Sequence, residues 1–347
     1  MKKNILVLFG GCSPEYPISL KSACAILKHI DGDKYNVIPM GITEEGQWLR
    51  YYGDYDEIQT DTWRQNRRHY TPAFLSPDRT VHGIGELTEN GVSFTYVDAV
   101  FPVLHGKHGE DGSVQGLAEL AGIPVIGCGA LSSALCMDKY RAHQIVSLAG
   151  IKVPKAAFFD RQPTAEELSA ETEALTYPLF VKPLRAGSSF GISKITEKGQ
   201  LQDAVALAFR YDSEIIVEEN IEGFEVGCAV LGCEELTLGR VDEIELSCGF
   251  FDYTEKYTQK TAKIHMPARI DAATEKRVQE AAGRIYRALA CSGFARVDMF
   301  LTPSGEIVFN EVNTIPGCTD CSRFPSMLRG IGMDYAAMVE KLISLEI

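Results

Sequence analysis

Asp298, Glu311 and Asn313 are three oxygen donors set among Val, Phe, Met and Ile in the run from Gly293 to Gly317. Two bare carboxylates about 4 Å apart repel by roughly 4 kcal/mol at an effective dielectric of 20, so a site that gathers them needs a proton or a cation. An all-oxygen set with neither His nor Cys suits a hard ion, Mg2+ above all, which keeps positions open for water and phosphate oxygens. Thr302-Pro303-Ser304-Gly305 reads as a turn between antiparallel strands. Side chains alternate across a strand, so Arg296 and Asp298 share one face of the first segment, and Glu311 and Asn313 one face of the second. A turn centred on Pro303 and Ser304 makes those faces coincide. The competing reading is a solvated strand face with ordinary exposed carboxylates. Arg296 among the three donors favours the site.

These strands need a frame. Asn4 to Phe9 reads as a short buried strand, followed by a Gly10-Gly11 turn, Glu15, and an amphipathic helix with Leu20, Cys24, Leu27 and Ile30 at helical spacing. Strand, Gly-rich turn and helix let a ligand approach the backbone, although a tight turn alone also needs Gly-Gly. Lys34 to Ile42 repeats the strand signal, and the aromatic-rich region Thr43 to Asn90 reads as an elaboration of the same unit. Asp98 to Leu104 is another strand, running into His105 and Glu110 before a helix from Ser113 to Leu120. Alternating strands and helices predict a parallel sheet whose loops at strand C-termini carry a ligand site. A lone loop histidine is otherwise a satisfied surface residue.

Ile123 to Gly129 reads as a strand with a glycine break, and a helix from Leu131 to Ala149 carries Asp138-Lys139. Pro178 to Pro183 is a strand holding Lys182. The Gly/Ser-rich run Arg185 to Ser193, with Ser188 and Ser189, can close over phosphates with backbone N–H groups and hydroxyls. It contains no Walker A pattern, and an ordinary turn is the alternative. The strand Glu214 to Val217 delivers Glu218, and Glu225 follows; an apolar strand ending in carboxylates resembles an adenosine clamp, with a plain exposed turn as the alternative. Ser247 to Lys260 is an aromatic, charged loop long enough to have a task of its own. A long helix spans Asp271 to Ala290, and Thr319, Ser322 and Arg323 precede a last helix, Tyr335 to Leu345.

Composition bounds the reading. A chain of 347 residues is too long for one ordinary core, and a content of 45% hydrophobic and 23% charged residues is that of a globular protein. A formal net charge of -13 argues against nucleic acid and anionic membranes as partners. Ile5 to Phe9 is too short for a signal-peptide core and no segment approaches a membrane span, so a cytoplasmic location is expected. The ten cysteines are scattered through apolar segments, so reduced thiols are the default; Cys318-x-x-Cys321 lacks the second pair that zinc would want.

The motifs GGCSPEYPIS at 10–19, FPVLHGKHGEDGSVQG at 101–116, SALCMDKYRAH at 133–143, VKPLRAGSSFGISK at 181–194, GFFDYTEKY at 249–257, and RVDMF with NEVNTIPG occur in one order along nearly the whole chain. In this the chain resembles the ATP-grasp D-alanine:D-alanine ligases, and within them the VanG-type D-alanine:D-serine ligases of vancomycin resistance. The resemblance implies an α/β fold in three parts: an N-terminal parallel αβ domain at 1–127 that binds D-alanine, a central ATP-grasp domain at 128–222, and a C-terminal ATP-grasp domain at 223–347 with a lid at about 247–260.

It also implies roles. Asp298, Glu311 and Asn313 would hold two Mg2+ ions, with Mn2+ as an alternative, on the phosphates of ATP. Lys139, Lys182, Ser188 and Ser189 would bind those phosphates, Glu218 the adenine side and Glu225 the ribose. Glu15 would hold the ammonium of the first D-alanine in a triad with Ser188 and Tyr257, with His105 near its carboxylate. Arg296 and the Gly317 N–H would form the oxyanion hole, and Lys256 and Ser322 would hold the carboxylate of the second substrate.

Lys256-Tyr257 matches the branch that uses an amine nucleophile, and Arg323 is placed to meet a serine hydroxyl directly or through water. A structural ion pair is the other reading of Arg323. Pro17 replaces the acidic residue usual two places after Glu15, and Asp320-Cys321 replaces the usual pair before Ser322. The expected reaction joins D-alanine to D-serine through a D-alanyl phosphate. The alternatives are a housekeeping D-alanine:D-alanine ligase and, in another class, a nucleotide-binding regulatory protein without turnover. Family members are often homodimers, but the sequence itself carries no interface signal.

Overall fold

The computed structural model describes residues 2–186, 190–246 and 262–347. Among them, three sheets succeed one another along the chain. The first holds β1 (Lys3–Gly10), β2 (Tyr35–Ile42), β3 (Trp48–Tyr51), β4 (Tyr70–Leu75), β5 (Gly83–Thr88), β6 (Gly91–Tyr96) and β7 (Ala99–Leu104) in the order β6-β5-β4-β3-β2-β1-β7. β1 lies parallel to both β2 and β7, as the alternating pattern predicts. β1 and β7 read as continuous apolar runs because both faces are covered. Helix α1 (Tyr16–His29) buries Leu20, Ala23 and Leu27 against Ile5, Val7 and Phe9, while Leu6 and Leu8 face the opposite layer. The aromatic region between β2 and β7 forms an antiparallel extension of this sheet and the short helix α2 (Tyr55–Gln59).

After β7 come α3 (Ser113–Ala121), α4 (Ala130–Met137) and α5 (Lys139–Leu148). Two sequence expectations change here. The strand expected at Ile123–Ile126 is reduced to one bridge, Val100 to Val125, because Pro124 has no N–H to give a ladder. The single helix expected from Leu131 to Ala149 is broken at Asp138, whose backbone is extended and whose carboxylate accepts the Arg141 N–H at 2.9 Å. An aspartate gains more as a helix cap than inside a helix. The break makes Lys139 the first residue of α5.

The second sheet holds β8 (Ala156–Phe159), β9 (Leu179–Pro183), β10 (Ser193–Ile195) and β11 (Ile215–Glu219) in the order β10-β9-β11-β8, packed on α6 (Ala165–Glu171) and α7 (Leu201–Ala208) around a core of its own. The third is fully antiparallel: β12 (Phe224–Gly232), β13 (Leu236–Leu246), β14 (Ala262–His265), β15 (Phe294–Leu301) and β16 (Ile307–Asn313), ordered β14-β13-β12-β15-β16. Helix α8 (Ala272–Ala288) covers one face of it. Although α4 and α5 precede the second sheet in the chain, their buried residues Cys136, Ala142 and Val146 share a core with the third. The last helices, α9 (Arg323–Arg329) and α10 (Tyr335–Ser344), pack with α1, so the first and third sheets are joined by continuous apolar contact.

The hairpin of β15 and β16 corrects the register that the sequence suggests. Leu301 pairs with Ile307 and Met299 with Phe309, which centres the turn on Ser304 alone. Continued unchanged, that register would put Asp298 opposite Asn310 and send Glu311 to the other face. Instead the ladder shifts between Asp298 and Met299, leaving Asn310 as an extra residue, and Asp298 pairs with Glu311 and Arg296 with Asn313. The apolar pattern records the switch. Phe309 and Val312 both enter the core although their numbers differ in parity.

A clasp joins the loop after β7 to the loop after β16. His105 Nδ1 faces the Ile315 carbonyl at 2.9 Å, so that nitrogen carries the proton. Burial keeps the ring neutral, holding its pKa below the ordinary histidine value against the pull of Glu15. Nε2 therefore accepts from Ser22 Oγ at 3.2 Å, and Ser22 Oγ accepts from the Cys318 N–H at 3.2 Å. Glu110 accepts from the Gly106 N–H at 2.8 Å and the Ile315 N–H at 3.3 Å. Desolvation, followed by the nearby Glu15 carboxylate, raises the Glu110 pKa from 4.5 to about 8.

Between those values the unfolded chain is ionised while folded Glu110 keeps its proton, so stability from this group is present below about 4.5 and is lost as pH rises toward 8. Glu110→Gln keeps one acceptor for the two N–H groups. It should melt below the parent at pH 5, by a gap that narrows by several degrees at pH 8. Thermal melts of both proteins across that range check this, and a constant gap would contradict it.

Candidate functional site

A cleft of about 900 Å³ runs between the second and third sheets and on to the loops of the first. The paired strands β15 and β16 supply its floor. Asp298, only 1% exposed, accepts from Arg296 Nε at 2.9 Å and Nη2 at 2.7 Å, and from Asn313 Nδ2 at 2.9 Å. Its neighbour across the ladder, Glu311, lies 3.7 Å from Lys139 Nζ. The two carboxylates thus share one face, as the alternation argument requires, and cations stand on both sides of them.

Arg323 adds a second guanidinium from the start of α9. Its Nε and Nη2 donate to the two oxygens of Asp242 at 2.7 and 2.8 Å, Nη1 to Glu225 at 3.2 Å, and Nη2 lies 3.2 Å from Asp298 Oδ1. Gly227 underlies this network. A Cβ there would come within 2.4 Å of Arg323 Nη2 and 2.9 Å of Asp298 Oδ1, so only glycine leaves room. Arg323 therefore sits in an ion-pair arrangement. Asp242, which ties it down, was not singled out from sequence.

On the opposite wall Lys182 and Glu218, on the adjacent strands β9 and β11, form a buried ion pair. Burial works against the Glu218 charge, but Lys182, with His143 and Lys139, more than offsets it and holds the carboxyl below its ordinary pKa. Glu218 Oε2 is buried without a hydrogen-bond partner among the described residues, an acceptor still open to a ligand donor. Lys139 and Lys182 both line the cleft, the first at the N-terminus of α5, where backbone N–H groups also favour an anion. Two carboxylates and an amide on one face, with lysines opposite, are a hard-cation and polyphosphate donor set. The residues present fit a divalent metal and a nucleotide, with the Asn313 amide turned to present its oxygen.

The end of the cleft nearest the first sheet is lined by Glu15, His105, Gly317, Ser322 and Arg323. Glu15 is 8% exposed, and a Cβ on Gly106 would meet its Oε2 at 2.5 Å, so that glycine, at φ +71, gives the carboxylate its space. Ser322 Oγ is 2.7 Å from Thr319 Oγ1 and accepts the Thr319 N–H at 3.0 Å, which fixes the turn holding Gly317. Cys318 is buried and Cys321 exposed. Ser188, Ser189, Lys256, Tyr257 and the lid at 247–260 lie outside the described residues. Sequence reasoning missed Ser22, which links His105 to Cys318, and Asp242. Nothing in a lone serine or aspartate marks such links, because their partners are remote in the chain.

A family model described as D-ala D-ala ligase N-terminus matches residues 4–128, and one described as D-ala D-ala ligase C-terminus matches residues 145–344. The solved VanG D-Ala:D-Ser ligase from Enterococcus faecalis is 59% identical with a TM-score of 0.94, each chain covering 100% of the other. A D-alanine--D-alanine ligase from Caldicellulosiruptor bescii is 42% identical over 100% of this chain and 95% of its own length. The vancomycin B-type resistance protein VanB from Enterococcus faecalis is 43% identical over 100% of this chain and 99% of its own. The chain belongs to the D-alanine–D-alanine ligase family, ATP-dependent enzymes that form a peptide bond.

Proposed function

We propose that this protein joins D-alanine to D-serine at the expense of ATP, giving the D-alanyl-D-serine precursor of peptidoglycan, ADP and phosphate. The supporting observation is the full-length likeness, at 59% identity, to a D-Ala:D-Ser ligase. The reaction belongs in the cytoplasm, where ATP is available, and no described helix is long and apolar enough to cross a membrane.

In this reading Glu15 takes the ammonium of the first D-alanine, and neutral His105 stands beside its carboxylate without adding charge. That carboxylate attacks the γ-phosphorus of ATP, releasing ADP and leaving a D-alanyl phosphate. Lys139 and Lys182, with Ser188 and Ser189, hold the phosphate oxygens as negative charge spreads over them, and Glu218 and Glu225 address the nucleoside. Asp298, Glu311 and Asn313 would hold two Mg2+ ions, whose contribution is to neutralise the polyphosphate. Lys256 and Ser322 position the D-serine carboxylate so that its amine attacks the acyl carbon. Arg296 and the Gly317 N–H bind the resulting oxyanion until phosphate leaves. Tyr257 and the 247–260 segment close over the acyl phosphate and exclude water. Arg323, fixed by Asp242 and Glu225, presents a rigid polar edge against which a hydroxyl is better accommodated than a methyl group.

Two measurements test this. Phosphate release should require D-alanine, Mg2+ and ATP, and at equal concentrations of D-serine and D-alanine as acceptors the main product should be D-alanyl-D-serine. D-alanyl-D-alanine in excess would assign the housekeeping activity instead, and no release with any acceptor would favour a binding protein. Arg296→Ala should cut kcat by about 10²- to 10³-fold, the usual cost of one oxyanion donor. An Arg296→Ala enzyme within threefold of the parent would remove Arg296 from that role.

A further inference from the structure

The bulge that brings Glu311 and Asn313 onto the Asp298 face creates a local difficulty. An extra residue in one strand is left out of the ladder, so its backbone groups must find other partners or remain buried and unbonded. Asn310 is that residue, and its carbonyl lies 3.1 Å from Nε2 of His143 on α5. A carbonyl can only accept, so Nε2 carries the proton. His143 is 4% exposed, and its ring packs edge-on against Phe309, the residue before the bulge, with centroids 5.4 Å apart. Nδ1 has no hydrogen-bond partner among the described residues. The ring is therefore committed to one bond, to the bulged carbonyl.

The same helix reaches the hairpin a second time. Lys139 lies one turn earlier, on the same face of α5, and its Nζ is 3.7 Å from Glu311. Consecutive residues of β16 are thus gripped by α5, Asn310 through its carbonyl and Glu311 through its carboxylate.

The geometry points to His143 as a positioning residue that pins the Asn310 bulge and so sets Glu311 and Asn313 in line with Asp298 for metal binding. This rests on the assignment of those three residues as metal ligands made above. His143 is not among the residues that line the cleft; it acts through the backbone of the strand that carries two of the ligands. Outer partners of this kind typically change metal affinity by about 10- to 100-fold.

The test is calorimetric titration of Mn2+ into the full chain saturated with ADP, which reads metal binding without turnover. His143→Phe keeps an aromatic ring against Phe309 and removes the donor, and it should weaken Mn2+ about tenfold while leaving metal-free ADP binding unchanged. His143→Gln places an amide N–H near the position of Nε2 and should stay within about twofold of the parent. His143→Asn, too short to reach, should behave like the Phe variant. If His143→Phe does not fold, the Gln and Asn variants decide between themselves. Parent-like Mn2+ affinity in the Phe or Asn variants, or equal weakening by Gln and Asn, would overturn the inference. Failure of the parent to bind Mn2+ would instead refute the ligand assignment, which keeps the two claims separable.

Discussion

Asp298 is a buried carboxylate whose nearest ladder neighbour is another carboxylate, and the rest of the site is arranged around that charge. Left alone, such a pair would protonate or push apart the strands. The protein supplies Arg296 from the same strand, Arg323 from α9 and Lys139 from α5, three elements that meet only in the folded chain. Each cation brings a further constraint. Arg323 demands Asp242 and Glu225 to balance it, and the close approach of all these groups demands a glycine at 227. Three cations thus face the four carboxylates of Asp298, Glu311, Asp242 and Glu225, and the network keeps a negative excess.

The packing divides the cleft walls into two kinds. The first and third sheets share an apolar core through α1, α9 and α10, and the clasp of His105, Glu110 and Ser22 on Ile315 and Cys318 adds polar bonds across the same junction. Glu15, His105, Gly317, Ser322 and Arg323, which line one end of the cleft, all stand on that joint body. The second sheet, with Lys182 and Glu218, has a core of its own, so the wall it supplies is separate from that joint body. A site that must admit a large nucleotide and then exclude water benefits from one fixed wall and one more independent one.

Much of this was readable in the chain. The runs at Ile5–Phe9 and Asp98–Leu104, the Leu20/Cys24/Leu27 spacing and the hairpin turn at 302–305 announce themselves because strand and helix periodicities are local properties. Three features depart from the local pattern. The helix from 131 to 149 is interrupted because Asp138 caps rather than continues it, a choice that puts Lys139 at a helix start. Residues 123–126 form a bridge rather than a strand. The turn is centred one half-residue later than expected, and the conclusion about shared faces survives only because a bulge restores the parity.

Motif spacing and side-chain alternation are carried by neighbouring residues, so the family and most of the elements could be read along the chain. How the polar groups of the cleft are held depends instead on packing between distant segments. The bulge at Asn310 and its bond to His143, the commitment of Arg323 to Asp242 and Glu225, and the link from Ser22 through His105 to the Gly317 loop join residues 81 to 296 positions apart. No local pattern encodes them, because each exists only once long-range packing has excluded water and left a polar group in need of a partner.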